Sequence, residues 1–284
     1  MNEMNEKKIK KLIINNFSGA ALVVAHPDDE ILWFSSVMDS VDEIIVCFLA
    51  NPSNSEISSG RTNTLKVHPA GRKISSLGLD ESQTFCNADW RSPEPDQFGL
   101  KINHPAHALK YAENYGRLAG ALKEKLAGYK NVITHNPWGE YGHEEHVQVY
   151  RAVNEIKKQK DMGFSLWFSN YCSNRSFKLA MKYITGLQSG FFTLRTGKDT
   201  AGRIKDLYTG NRCWTWYDDW EWFDNESFIM DNDGNKENLK YGRMPLNMII
   251  MENTASEPKP SRFQRIRGSK KIMSLISKLG AAYA

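Results

Sequence analysis

The chain has 284 residues, 40% apolar and 25% charged, which is enough to bury a substantial core in one large or two ordinary domains. Its formal charge of +4 is uneven: seven basic residues from Pro258 onward (Lys259, Arg262, Arg265, Arg267, Lys270, Lys271, Lys278) face no acidic ones, leaving −3 on the remainder. A body without basic excess or recognition motif argues against a nucleic-acid partner, and no apolar run approaches the roughly 18 residues of a membrane span.

Residues Met1 to Lys11 are polar and lysine-rich and lack the apolar segment of a secretory signal, so a cytoplasmic location is expected. Strands are expected at Ala21–Ala25, Glu43–Leu49, Gln83–Cys86, Val132–Thr134 and Phe164–Phe168. Helices are expected at Asp29–Met38, Ala106–Ala127 and Glu144–Lys157, the last with Val147, Tyr150, Val153 and Ile156 on one face. Asn51–Gly60, rich in Ser, Asn and Gly, reads as a loop over the sheet edge. This alternation predicts an α/β fold, a Rossmann-like, mostly parallel sheet flanked by helices. Beyond about residue 190 the pattern changes to short strands and turns. We expect a single domain: a core of about 19–190, a C-terminal extension of about 191–257 packed on the sheet, and a basic amphipathic tail of about 258–284.

Two polar clusters stand directly after apolar strands. The first is Ala25-His26-Pro27-Asp28-Asp29-Glu30, an imidazole and three carboxylates within five residues. Pro27 argues against simple continuation of the strand, so the cluster falls at the carboxyl edge, where ligands of open α/β sheets bind. The second runs from Thr134 to His146 and holds His135, Glu140, His143, Glu144, Glu145 and His146. His143 and His146 are three apart and at a helix start can face the same side. Two such edges can supply a His-Asp-His set for Zn²⁺, which leaves a coordination position open for water. The four cysteines, Cys47, Cys86, Cys172 and Cys213, are scattered, which disfavours both a disulfide framework and a thiolate site. All seven histidines precede residue 147, so an imidazole site belongs to the N-terminal half.

Ala25–Glu30 and Gly142–His146 resemble, in order and separation, the A-H-P-D-D-E and G-H-x-x-H signatures of the LmbE-like, or PIG-L-type, zinc-dependent N-deacetylases. The similarity covers about residues 19 to 160. It implies that His26, Asp29 and His146 are metal ligands and that Asp28 is the general base that takes the proton from the activated water. It further implies that His143, as imidazolium, stabilises the oxyanion, and that Glu145, where the family commonly has Asp, orients or charge-pairs a histidine. Tyr141 matches a tyrosine that reaches the substrate carbonyl. The family also implies a substrate arginine and an acidic residue between the motifs, for which Arg61, Arg72 and Asp89 are candidates. Its R-x-x-E pattern is missing near Leu77-Gly78, where His68-Pro69-Ala70 stands instead. The implied activity is removal of acetyl from an N-acetylated, N-acetylglucosamine-like sugar or glycoconjugate in cell-surface glycan or glycolipid synthesis. Zn²⁺ is the default cofactor, and Fe²⁺, Co²⁺ and Mn²⁺ suit the same ligand types. Another amide as substrate, or a non-catalytic glycan-binding protein on the same fold, are the rival readings.

Several residues carry plainer expectations. Asp28 or Asp29 caps the following helix if no metal site exists. His135 supports the site or merely bonds within the sheet edge, while His68, His104 and His107 are expected at the surface. Trp214–Phe223 is expected to be core or an oligomer contact ahead of a sugar-stacking wall, with no catalytic assignment. In the tail, Ile272, Leu275, Ile276 and Leu279 at helical spacing beside lysines suit an anionic membrane surface at the inner face of the membrane, or packing on the chain's own domain or a neighbouring subunit.

Overall fold

A computed structural model describes residues 19–184, 190–231, 245–251 and 263–265. Its centre is β1 (Ala20–Val24), buried on both faces, which is why its sequence is an unbroken apolar run without alternation. Ala21 and Val23 join one core cluster and Ala20, Leu22 and Val24 the other. β2 (Glu43–Ala50) and β4 (Asn131–Thr134) flank it in parallel, β3 (Ile74–Asp80) extends the β2 side, and β5 (Ser165–Ser169) extends the β4 side. β7 (Phe191–Arg195) and β8 (Asn225–Met230) complete a seven-stranded sheet of order β3-β2-β1-β4-β5-β8-β7, in which β8 runs antiparallel to both neighbours. The Rossmann-like α/β fold is therefore present.

Helices α3 (Pro105–Leu126) and α4 (Glu144–Lys157) cover one face through Leu118, Leu122, Leu126, Val149, Val153 and Ile156. On the other face α1 (Asp29–Leu32) and α6 (Lys198–Gly210) bring Ile31, Ala201, Ile204 and Tyr208. α5 (Phe177–Ile184) adds Leu179 and Ala180 to the first cluster. Truncating a fully buried residue such as Leu22 to Ala costs about 2–5 kcal/mol. A smaller sheet joins β6 (Tyr171–Ser173), β9 (Asn247–Met251) and β10 (Phe263–Arg265) in the order β10-β9-β6.

The structure corrects four expectations. The first helix stops at Leu32, because Ser35 and Ser36 bond through their hydroxyls and the Ser36 N–H to the Glu226 carboxylate, diverting the backbone from helical continuation. The expected loop Asn51–Gly60 contains the start of α2 (Ser55–Val67), capped by Asn54, whose side chain accepts the Ile57 N–H at 3.0 Å. Its buried positions are Gly60, Arg61 and Thr64, so no apolar periodicity marks it. Gln83–Cys86 is not a strand: Gln83 and Cys86 take φ of 60° and 65°, and the edge strand is the half-polar β3 upstream. The segment beyond residue 190 does not merely pack on the sheet, since β7 and β8 are strands of it. The expected tail helix lies outside the described residues.

Candidate metal centre

β1 and β4 are adjacent where the strand order reverses, and at such a switch point the loops leaving the two carboxyl ends open a crevice. The loop after β1 turns tightly, with Asp28 at φ 96°, a left-handed conformation that Asp tolerates better than most residues. Asp28 makes no capping bond; its N–H instead donates to Glu30 Oε2 at 3.0 Å. The turn directs Asp29 back on its own loop, so that Oδ2 accepts the His26 N–H at 2.7 Å and Oδ1 the Trp33 indole N–H at 2.9 Å. After β4, Asn136 Oδ1 accepts the N–H groups of Trp138 at 3.2 Å and Glu140 at 3.0 Å. Gly139 and Gly142, at φ +68° and +95°, then bring the chain to His143, which caps α4.

His26 Nδ1 lies 3.4 Å from Asp29 Oδ2, and His146 Nε2 lies 3.3 Å from Asp29 Oδ1. The three residues are buried and offer donor atoms all within 4.8 Å of one another. Each ring is backed by a carboxylate on its far nitrogen: Glu145 Oε2 meets His26 Nε2 at 2.8 Å, and Glu140 Oε2 meets His146 Nδ1 at 2.8 Å. Carboxylate-backed imidazoles are the usual surroundings of a metal, because the partner fixes the tautomer and raises the basicity of the nitrogen left over. His146 Nε2 is buried without a hydrogen-bond partner, a costly state unless its lone pair meets a cation. Two nitrogens and a carboxylate fit a divalent ion such as Zn²⁺.

Charge states follow from burial and neighbours. Burial pushes the Asp29 carboxyl up, but His146 and His135 outweigh it and hold it well below the ordinary carboxylate range. Burial likewise pushes Glu140 up, and the same two rings pull it down to about 2. Asp28 is raised to about 8, first by burial and then by the neighbouring charge of Asp29, with Arg61 opposing. His143 differs from the expected imidazolium. Burial and the adjoining His26 and His146 hold it well below the ordinary range, and its Nδ1 accepts the Glu145 N–H at 3.1 Å, leaving a neutral ring with its proton on Nε2.

A cavity of about 630 Å³ opens on this cluster, lined by His26, Asp28, Asp29, Tyr141, His143, Arg61, Glu81, Phe85 and part of the 214–223 segment. Tyr141 packs edge-on to His146 at 5.4 Å and to Trp216 at 4.5 Å between ring centroids. Arg61 lines the wall and pairs with Glu81. Asp89 is not in the wall; it is exposed and its Oδ1 accepts the N–H groups of Arg91 at 2.9 Å and Ser92 at 3.3 Å, closing its own turn. The backbone of Arg72 lies in a turn before β3, at the sheet edge opposite the cluster, and its side chain lies outside those described.

Other expectations are revised. His68 is buried, with Nε2 3.4 Å from Glu30 Oε1, whereas His104 is exposed and its ring lies tilted against that of His107, centroids 4.3 Å apart. His135 supports the cluster: Ala25 N–H donates to its Nε2 at 2.8 Å, and Nδ1 meets Glu140 Oε2 at 3.0 Å. The aromatic segment divides, Trp220 and Trp222 entering the core while Thr215 to Asp219 line the cavity. Sequence reasoning gave no role to Glu140, Ser82 or Thr215. Glu140 had a visible signal, a carboxylate inside the second cluster. Ser82 N–H and hydroxyl, which bond Glu145 Oε1 at 2.5 and 2.6 Å, had none, nor did Thr215.

Fold and cluster together define an α/β protein with a buried two-imidazole, one-carboxylate cluster, of a kind that could hold a metal ion, at the switch point of its sheet. No protein-family model matches the chain. It is 24% identical over 188 residues to the 1D-myo-inositol 2-acetamido-2-deoxy-alpha-D-glucopyranoside deacetylase of Corynebacterium diphtheriae, across 61% of this chain and 62% of that protein. It is also 26% identical over 136 residues to an uncharacterized protein of Acanthamoeba polyphaga mimivirus, across 48% of this chain and 56% of that one. The chain thus spans about three-fifths of the length of the curated relatives it matches. Among solved structures, the antimicrobial reagent A40926 pseudoaglycone deacetylase Dbv21 aligns with a TM-score of 0.42 and 11% identity over 74% of this chain and 95% of that one. Over about three-fifths of its length the chain is thus similar to a deacetylase.

Proposed function

We propose that this protein is a metal-dependent amidohydrolase, with Zn²⁺ its ion, that removes the acetyl group from an N-acetylated amino sugar or glycoconjugate. The observation that carries this reading is the pairing of a three-residue donor set with Asp28, a cavity-lining carboxyl beside it that the donor set does not use. A divalent ion held by His26, Asp29 and His146 supplies Lewis acidity, which lowers the pKa of water toward about 7 and polarises an amide carbonyl. Asp28 takes the proton of the attacking water and returns it to the departing amine. His143, as neutral imidazole, donates its Nε2–H to the carbonyl oxygen as negative charge develops there, and Tyr141 lies beside it for the same end. Glu145 and Glu140 hold the ligand rings in their tautomers.

Phe85, Trp216 and Tyr217 supply aromatic surface in the cavity for the faces of a sugar ring. Among the described lining residues the cation is Arg61, already paired with Glu81, while Asp218 and Asp219 also line the cavity. That charge favours an uncharged glycan or glycoside over a diphosphate-linked one. Three of the four free cysteines are buried, which suits the expected cytoplasmic setting, and no helix among the described residues is long and apolar enough to cross a membrane. Contact of the basic tail with an anionic membrane surface belongs to the same proposal. The test is incubation of zinc-loaded full-length protein with a panel of N-acetylated amino sugars and glycosides, assaying acetate and free amine in parallel. Equimolar release supports the reading, and no release across the panel refutes it.

A further inference from the structure

Asp28 has a second partner far away in sequence. Thr215 donates its hydroxyl to Asp28 Oδ2 at 2.9 Å, and its backbone N–H reaches the same oxygen at 3.3 Å. Both bonds fall on one carboxylate oxygen, so they fix the plane of the group while the other oxygen is left for the cavity that Asp28 lines.

The segment carrying Thr215 is anchored on both sides. Before it, the Cys213 N–H bonds Tyr208 O at 3.0 Å and Cys213 Sγ lies 3.3 Å from Thr64 Oγ1. There α2 also lies so close that a Cβ on Gly60 would stand 2.2 Å from Asn211 O. After it, the Trp222 indole N–H donates to Ile31 O at 2.6 Å, tying the segment to the helix that starts with Asp29. A hydroxyl held at both ends against a carboxylate on a strained turn has the geometry of a positioning device, whereas a helix cap or surface contact would need no such anchoring.

We infer that Thr215 is a positioning residue for the general base: through its hydroxyl it orients the Asp28 carboxylate toward the water it deprotonates. The inference rests on the deacetylase reading for its consequence in catalysis, and on the two hydrogen bonds for its geometry. The other charged groups facing Asp28 are Asp29, Glu30 and Arg61, and substitution of Thr215 leaves all three in place.

The test uses the full-length protein loaded with Zn²⁺ and compares Thr215→Val, which keeps shape and loses the hydroxyl, with Thr215→Ser, which keeps the hydroxyl. With N-acetylglucosamine glycosides as probe, Thr215→Val is expected to lower kcat about 10- to 100-fold, the size of one hydrogen bond to a charged group, with KM and metal content little changed. Thr215→Ser is expected to stay within about 3-fold of the parent, since it restores that bond. A Thr215→Val variant as active as the parent, equal impairment in both variants, or loss of rate in step with loss of metal overturns the inference. If the parent protein releases no acetate, the deacetylase reading fails and the geometry is judged on protein loaded with Co²⁺. Displacement of the pH midpoint of its visible absorption in Thr215→Val, but not in Thr215→Ser, then sustains the contact's role, and unmoved midpoints refute it.

Discussion

Replacing Glu140 by Gln changes one oxygen to an amide nitrogen and should loosen the whole cluster. Glu140 Oε2 accepts from two rings, His135 Nδ1 at 3.0 Å and His146 Nδ1 at 2.8 Å, while Oε1 accepts the Asn136 N–H at 2.9 Å and the Ser169 hydroxyl at 2.5 Å. All four partners donate, and a glutamine can offer acceptor lone pairs on one side only. Whichever way it turns, its NH₂ faces two donors inside a fully buried site. Each lost hydrogen bond to a charged group is worth about 1.5–3 kcal/mol, and partial relaxation leaves a net cost of about 3 kcal/mol. At about 2–4 °C per kcal/mol, Tm falls by about 6–12 °C. Metal affinity falls further than stability alone requires, by about 10- to 100-fold, because the His146 tautomer is no longer enforced. Calorimetry of the metal-free protein and competition with a chromophoric chelator measure the two effects separately. A Glu140→Gln protein with parental Tm and parental affinity would refute the assignment of Glu140 as the carboxylate that orders both rings.

Two other outcomes follow from the geometry. Arg61→Met removes a positive charge that opposes the effect of burial and Asp29 on Asp28, so the Asp28 carboxyl rises further. The base works ionised and is lost as pH falls through its pKa, so the acid limb of kcat/KM moves to higher pH; a limb that stays put or moves down contradicts this. Gly139→Ala forces φ +68° on a residue with a Cβ and places that Cβ 2.5 Å from His143 O, at a cost of about 1–3 kcal/mol and with displacement of His143. Gly71→Ala, at φ +57° with nothing within 4 Å, is the control and should lower Tm less.

The central fold was legible because β1 and most of β2 and β4 are buried on both faces and therefore written as apolar runs, and because α4 carries its apolar stripe at helical spacing. The elements that escaped are those built from polar burial. α2 hides Arg61 and Thr64 against its neighbours, β3 is an edge strand reading Ile-Ser-Ser-Leu-Gly-Leu-Asp, and the helix after His26 is cut short by a glutamate nearly two hundred residues away. The same division holds in the site. Residues near each other in sequence, such as His26 with Asp29 and His143 with His146, declared themselves by spacing and by family resemblance. Partners that arrive through tertiary contact, Ser82 on Glu145 and Thr215 on Asp28, leave no local pattern, and the 214–223 segment showed only its aromatic content.

Metal content measured by elemental analysis on protein prepared without chelators, for the parent, Asp28→Asn and His146→Ala, tests the central claim most directly. The geometry predicts one divalent ion per chain in the parent, the same in Asp28→Asn with its acetate release abolished, and loss of both ion and activity in His146→Ala. A parent that binds no divalent ion, or a His146→Ala protein that retains it, would contradict the account.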